Sequence, residues 1–155
     1  MADFSAYLNV KAEDIEAPKP LPVGHYHADI VGWKTAERDY KNGEPPQPVV
    51  ELTFRTTGPD DDVDPADLPT SGGVGILCTK DYRLSMPSKG KVEGGGHNQL
   101  RRLAEETLGL DVKGLHFEDI LNALKGQSVR IQNTPRVDKR DESVSYNNIT
   151  AVIAP

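Results

Sequence analysis

A lone cysteine, Cys78, leaves this chain no internal disulfide, and its place in an alternating apolar segment reads as a buried, reduced thiol. Long hydrophobic runs are missing as well. No stretch approaches the roughly 20 apolar residues that a membrane-spanning helix requires, and Met1 to Pro20 holds no apolar core of a secretory signal. The expectation is therefore a cytoplasmic protein with no membrane partner. Catalytic signatures are equally scarce: there is no G-x-S-x-G elbow, no G-x-x-x-x-G-K-[ST] phosphate loop and no G-x-G-x-x-G dinucleotide fingerprint. The glycine-rich stretch Ser88 to Gly96 reads instead as a flexible basic loop. Metal ligands are thin too. His25 and His27 share one side of a strand, but two ligands do not complete a site. Asp60, Asp62 and Asp64 match the first three ligand positions of a calcium loop, after which Pro65 and Ser71 replace the glycine and the bidentate glutamate such a loop needs. These absences leave a non-enzyme with no expected metal or cofactor.

What is present fits one domain: 155 residues, 36% hydrophobic and 27% charged. The net charge of -6 weighs against a nucleic-acid partner, because Lys and Arg replace the counterions of phosphate. The charge is segregated, however. Residues 1–70 carry 14 acids and 6 bases, whereas residues 71–155 carry 10 acids and 12 bases. Thr79 to Arg102 has a local excess of +4 and Arg130 to Arg140 one of +3, a distribution that presents a basic face to an anionic ligand.

Residues 1–20, with Pro18 and Pro20 at their end, read as an extended N-terminal arm. Its Phe4, Tyr7, Leu8, Val10 and Ile15 are candidates for docking on the domain or on a second copy of the chain. From Gly24 the pattern is that of a strand, with Tyr26, Ala28 and Ile30 alternating against His25, His27 and Asp29, and Gly32 marking a bulge. Asn42-Gly43 signals a turn. A second strand spans Val49 to Thr56, with Val50, Leu52 and Phe54 inward. The proline- and aspartate-rich segment Gly58 to Gly73 reads as a long, acidic, mobile loop, and Val74, Ile76 and Cys78 begin a third strand. Helical spacing then appears twice, from a cap at Asn98 to a stop at Gly109 and from Phe117 to Leu124. Val129 and Ile131 mark a fourth strand, and Tyr146 to Ile153 a fifth. Three strands, a helical segment and two strands make the chain mainly β. The order predicts a five-stranded OB-fold barrel over residues 21–155, with one or two short helices between strands three and four.

Single strands of nucleic acid are held where a basic groove tracks phosphate and aromatic rings stack on bases, each ring contributing about 1 to 3 kcal/mol. Three aromatic-basic clusters have that composition. They are Trp33 with Lys34, Arg38 with Tyr40 and Lys41, and Lys80 with Tyr82 and Arg83. Lys89 and Lys91 reach from the glycine-rich loop, and Arg130, Arg136, Lys139 and Arg140 line strands four and five. Against this stands the expectation that Trp33 and Tyr82 are core residues and the bases only solvate the surface.

Several short segments carry a family likeness: Leu21-Pro22-Val23-Gly24-His25-Tyr26, Val49-Val50-Glu51-Leu52-Thr53-Phe54, Leu124-Lys125-Gly126-Gln127-Ser128-Val129 and Tyr146-Asn147-Asn148-Ile149. Across residues 21–153 the chain resembles phage-encoded single-stranded DNA-binding proteins of the OB-fold type. The resemblance implies a protein of phage replication or recombination, in the host cytoplasm, that coats and protects single strands without strong sequence specificity. Many such proteins end in an acidic tail that recruits partners, whereas this sequence ends Ala151-Val152-Ile153-Ala154-Pro155. The loop Asp60 to Asp67 is the substitute surface expected for replication or recombination proteins. A homo-oligomer would form through the arm. The alternative is an OB-like protein-interaction or virion component that binds no nucleic acid, which the net charge and the 6% aromatic content favour.

Overall fold

The computed structural model describes residues 3–15, 19–92 and 94–155; Pro18 of the arm and Glu93 of the glycine-rich loop lie outside them. In chain order the strands are β1 (Gly24–Arg38), β2 (Gln47–Pro59), β3 (Leu77–Arg83), β4 (Ser128–Asn133), β5 (Arg136–Val137), β6 (Ser145–Tyr146) and β7 (Ile149–Ile153). The helices are α1 (Ser5–Leu8), α2 (Gly95–Arg102) and α3 (Phe117–Leu124).

Alternation builds the central strand: Tyr26, Ala28 and Ile30 of β1 are buried, while His27 and Asp29 face water. Between Ile30 and Gly32 the register against β2 shifts by one residue, and a bulge of this kind bends the strand and increases its twist. One long bent strand can then pair with two neighbours. β1 pairs with β2 from Tyr26 to Arg38 and with β4 from Gly24 to Asp29. The result is a five-stranded antiparallel sheet in the order β3-β2-β1-β4-β7, with β5 and β6 forming a separate two-stranded ladder. Among the described residues no ladder joins the edge strands β3 and β7, which approach through the Lys80 Nζ, 3.3 Å from the Ile149 carbonyl that accepts its proton.

One core lies inside this curled sheet. Tyr26, Ile30, Leu52, Phe54, Val129 and Ile131 meet Leu100, Leu103 and Ala104 from the α2 region and Ile120, Leu121 and Leu124 from α3. Cys78 is buried among them, and desolvation pushes its thiol up to about 11, so it stays protonated and unreactive. None of the helices among the described residues is long and apolar enough to cross a membrane.

Four segments depart from the sequence pattern. The arm is not uniformly extended: α1 and a 3-10 turn at Ala12–Asp14 interrupt it, and its Phe4, Tyr7, Leu8, Val10 and Ile15 are exposed rather than docked on the domain. The third strand starts at Leu77, leaving Val74 exposed. The first helix begins at Gly95 and runs on as a π-helical turn, Leu103–Thr107, in which the Leu108 amide donates to the Leu103 carbonyl over 3.0 Å. The fifth strand is split. A register shift between Gln132 and Asn133 places Ile149 and Val152, three residues apart, against the core together, whereas strict alternation would separate them.

The loop predicted to be mobile is fastened at its near end. Val63 is buried, filling a notch over Gly24, where φ is +142° and a Cβ would lie 2.7 Å from the Val63 Cγ2. Only glycine suits both the angle and the space. A second close approach seats α2: a Cβ on Gly96 would collide with the backbone carbonyl of Arg83 at the end of β3. Because that neighbour is backbone and cannot swing away, Gly96→Ala should lower stability by about 1–3 kcal/mol. Gly58→Ala, with open space at its Cβ, should stay within about 0.5 kcal/mol. Urea denaturation of the two variants checks this, and equal losses would contradict it.

Candidate functional site

The sheet brings residues distant in sequence to one groove. Arg38 and Tyr40 at the end of β1, Thr79 and Lys80 on β3, and Arg136 and Tyr146 on the β5–β6 ladder line a depression of about 490 Å³. Glu51, Asp81, Asn147, Asn148 and Ile149 complete it. Arg136 and Tyr146 face each other as cross-strand partners. Tyr40 is exposed, and the Arg83 guanidinium lies over its ring at 4.2 Å, a cation–π geometry.

Two acids in the groove are engaged by bases. Arg38 donates from Nε to Asp81 over 2.9 Å and from its terminal nitrogen to Glu51, and the Lys34 Nζ lies 3.6 Å from Glu51. Glu51 is 8% exposed, and a carboxylate so buried is retained only when paired. The hydrogen bond to Asp81, and then its charge, hold the Arg38 guanidinium firmly protonated.

Four of the sequence-predicted residues, Arg38, Tyr40, Lys80 and Arg136, line the groove, and Arg83 joins them through Tyr40. Others lie elsewhere. Trp33 packs on the core, its indole N–H donating to Asn122 of α3 over 3.1 Å. Tyr82 is 4% exposed and belongs to the core, where burial raises its phenol. Lys34 lies at the margin, on Glu51. Arg130 points to the acidic loop, donating to Asp60 over 3.0 Å and to the Ala154 carbonyl over 2.9 Å. Lys41 sits in the β1–β2 turn, Lys89 and Lys91 in a turn closed by a Ser88–Lys91 bridge, and Lys139 and Arg140 in the turn between β5 and β6. Tyr146, Asn147 and Asn148 entered the sequence reading only as strand and family-likeness residues, not as candidates for the site. Two adjacent asparagines disfavour a strand interior, and that break was the available signal.

The wall of the groove is held by a buried amide. Asn133 is wholly hidden from water. Its Nδ2 donates to the Leu21 carbonyl over 2.8 Å and to the Asn147 Oδ1 over 3.1 Å, while its Oδ1 accepts from the Asn148 amide over 2.8 Å. Asn147 also accepts from the Leu21 amide over 2.7 Å. One side chain thus ties the entry of the domain to the residues that line the groove.

The acidic loop is partly committed to its own chain. Asp62 accepts from the His25 amide over 3.0 Å and lies 2.7 Å from its Nδ1, and Asp60 receives Arg130. Asp64 caps the 3-10 turn Pro65–Asp67 through the Ala66 amide. Both histidines of β1 thus face carboxylates, His27 at 3.9 Å from Asp60, and among the described residues no three His, Cys, Asp or Glu side chains form a metal cage. No protein-family model matches the chain, and no curated protein matches it either.

Two outcomes follow from these contacts. Asn133→Ala strands the Leu21 carbonyl and the Asn148 amide, so it should cost about 2–3 kcal/mol in urea denaturation and speed hydrogen exchange at Asn148; slow exchange there would contradict the latch. The loop should release in acid. The hydrogen bond from the His25 side chain lowers the Asp62 carboxyl, and that from the Arg130 side chain lowers the Asp60 carboxyl, both below the ordinary 3.8. A lowered folded-state value contributes stability that is present above the ordinary value and is lost as pH falls through the lower one. Protection of the Asp61 and Val63 amides, taken relative to the intrinsic exchange rate at each pH, should hold at pH 5 and be lost only below about pH 4; loss of protection already at pH 5 would contradict the assignment.

Proposed function

We propose that this chain is an OB-type β-barrel that binds single-stranded DNA, without strong sequence specificity, along the groove of Arg38, Tyr40, Lys80, Arg136 and Tyr146. A strand order of β3-β2-β1-β4-β7 with helices between β3 and β4 supports the OB reading, and the approach of Lys80 to Ile149 stands where a closing ladder would run. OB-folds bind oligonucleotides on the face of strands two and three between the first and fourth loops. The observation that carries the proposal is the lining of one groove by the end of β1, the β2–β3 face and the segment between β4 and β7.

The chemistry suits an unstructured strand. Tyr40 and Tyr146 offer rings for base stacking, and Lys80, Arg83 and Arg136 offer charge that no groove carboxylate neutralises among the described residues, whereas Arg38 is occupied by Glu51 and Asp81. Stacking and phosphate contact are sequence-tolerant modes of binding, which fits a partner held without strong sequence specificity. Coating strands during phage replication or recombination is the role that accompanies this activity. A second reading, a protein-interaction or virion component, is favoured by the exposed Phe4, Tyr7, Leu8, Val10 and Ile15 of the arm.

Anisotropy of a labelled oligothymidylate separates the two. Trp33 is a poor reporter, because its indole lies against α3. Binding at low salt should weaken steeply as salt rises, with a slope of about -0.7 per phosphate contacted. Replacing Tyr40 and Tyr146 together with Ala should cost at least about tenfold in affinity. Absence of binding at low salt by the folded protein would retire the DNA reading.

A further inference from the structure

The groove does not stop at β3. Lys80 lines it and also lines a second cavity of about 320 Å³, whose polar walls are Gln99 and Arg102 of α2, Glu106 and Thr107 of the π-helical turn, and Thr150 of β7. Three features of this cavity point to a ligand. The Lys80 ammonium is half-buried at the seam between the edge strands, and among the described residues a single carbonyl, that of Ile149 at 3.3 Å, accepts from it. It has three protons to donate. Its Nζ lies over the Tyr82 ring, 5.3 Å from the centroid, and no carboxylate pairs with it among the described residues. Burial lowers its affinity for its own proton, against an opposing effect of Asp81, and an anion brought beside it would favour the charged form again. The cavity wall is a π-helical turn, a departure from regular helix that recurs at functional sites. The remaining charges do not oppose an anion: Arg102 Nε is bonded to Glu106 at 2.9 Å, which neutralises the one carboxylate that lines the cavity among the described residues.

We propose that this second cavity is a phosphate subsite, in which Lys80, with Gln99, Thr107 and Thr150, holds a phosphate of the strand where it leaves the groove. The proposal rests on the DNA reading of the groove and extends the path of the bound strand across the β3–β7 seam to α2. The ligand chemistry is a phosphate group, and its source, a nucleic-acid backbone or free phosphate, is what the experiment distinguishes.

The test compares the wild-type chain with Lys80→Met, which removes the charge and keeps an unbranched apolar side chain of similar length, and Lys80→Arg, which keeps the charge; urea denaturation establishes that both variants fold. In one arm, binding of a labelled oligothymidylate is followed as a function of salt. Lys80→Met should bind several-fold more weakly, with a salt slope shallower by about 0.7, the share of one phosphate, while Lys80→Arg stays near wild type. In the other arm, inorganic phosphate is titrated while the amide signals of Thr107, Thr150 and Ala151 are recorded by NMR. Saturable shifts are expected in the wild type and not in Lys80→Met. Phosphate shifts with an unchanged oligonucleotide slope would overturn the strand path and leave a site for free phosphate. An unchanged slope and no phosphate shifts, in a chain that binds the oligonucleotide, would overturn the subsite and remove Lys80 from the phosphate contacts of the strand, with the groove reading then resting on Tyr40, Arg83, Arg136 and Tyr146. If the wild type binds no oligonucleotide, the groove reading falls, the strand path falls with it, and the phosphate titration alone decides whether the cavity takes an anion.

Discussion

The carboxamide of Asn133 has no access to water, and a buried amide left unbonded would cost about 1–3 kcal/mol. Its bonds to Leu21, Asn147 and Asn148 therefore act as a geometric constraint as much as a source of stability. They fix where the arm gives way to the domain. They also set the bulge that turns the chain from β4 into β7, since Asn133 pairs with Ile149 where the register shifts. The β5–β6 ladder hangs between the two ends of this junction, so the position of Arg136 and Tyr146 follows from a side chain that never reaches the surface. A groove built on loops needs such a rigid root, because loops alone hold side chains less well than regular elements do.

Electrostatics in the molecule are organised by pairing rather than by composition. An overall charge of -6 does not describe the groove, where Arg38 takes up Asp81 and Glu51, and Lys34 stands beside Glu51. The two paired acids give the floor its shape without giving it a negative field. On the other side of β1, Asp60 and Asp62 meet Arg130 and His25, so two carboxylates of the acidic loop have partners within the chain. The cations left unanswered in the groove among the described residues, Lys80, Arg83 and Arg136, lie toward β3 and the β5–β6 ladder.

The strands were legible where one face is buried. Tyr26, Ala28 and Ile30, and later Val50, Leu52 and Phe54, alternate because each faces the same core, and Gly32 marked the bend correctly. Legibility failed where structure depends on a partner far along the chain. Val63 looks like one apolar residue among aspartates until Gly24 supplies the notch that takes it. Ile149 and Val152 break the two-residue period because Asn133 imposes a bulge on their strand. The functional residues show the same limit. Adjacency in sequence grouped Trp33 with Lys34 and Tyr82 with Arg83, but neighbours on a strand point to opposite faces, so in each pair the ring went to the core and the base to the surface. Tyr40 and Arg83, 4.2 Å apart in space, came from different clusters.

The open seam between β3 and β7 has a further effect on the fate of the molecule in a crowded solution. Among the described residues each edge strand presents backbone donors and acceptors with no partner strand beside them, which is a template on which another chain can add a strand. A charged lysine on such an edge opposes that addition, because a second strand laid against it would have to desolvate the ammonium. By leaning across to Ile149, Lys80 guards both edges at once, and self-association through the seam is disfavoured without the chain having to complete a continuous ring of hydrogen bonds.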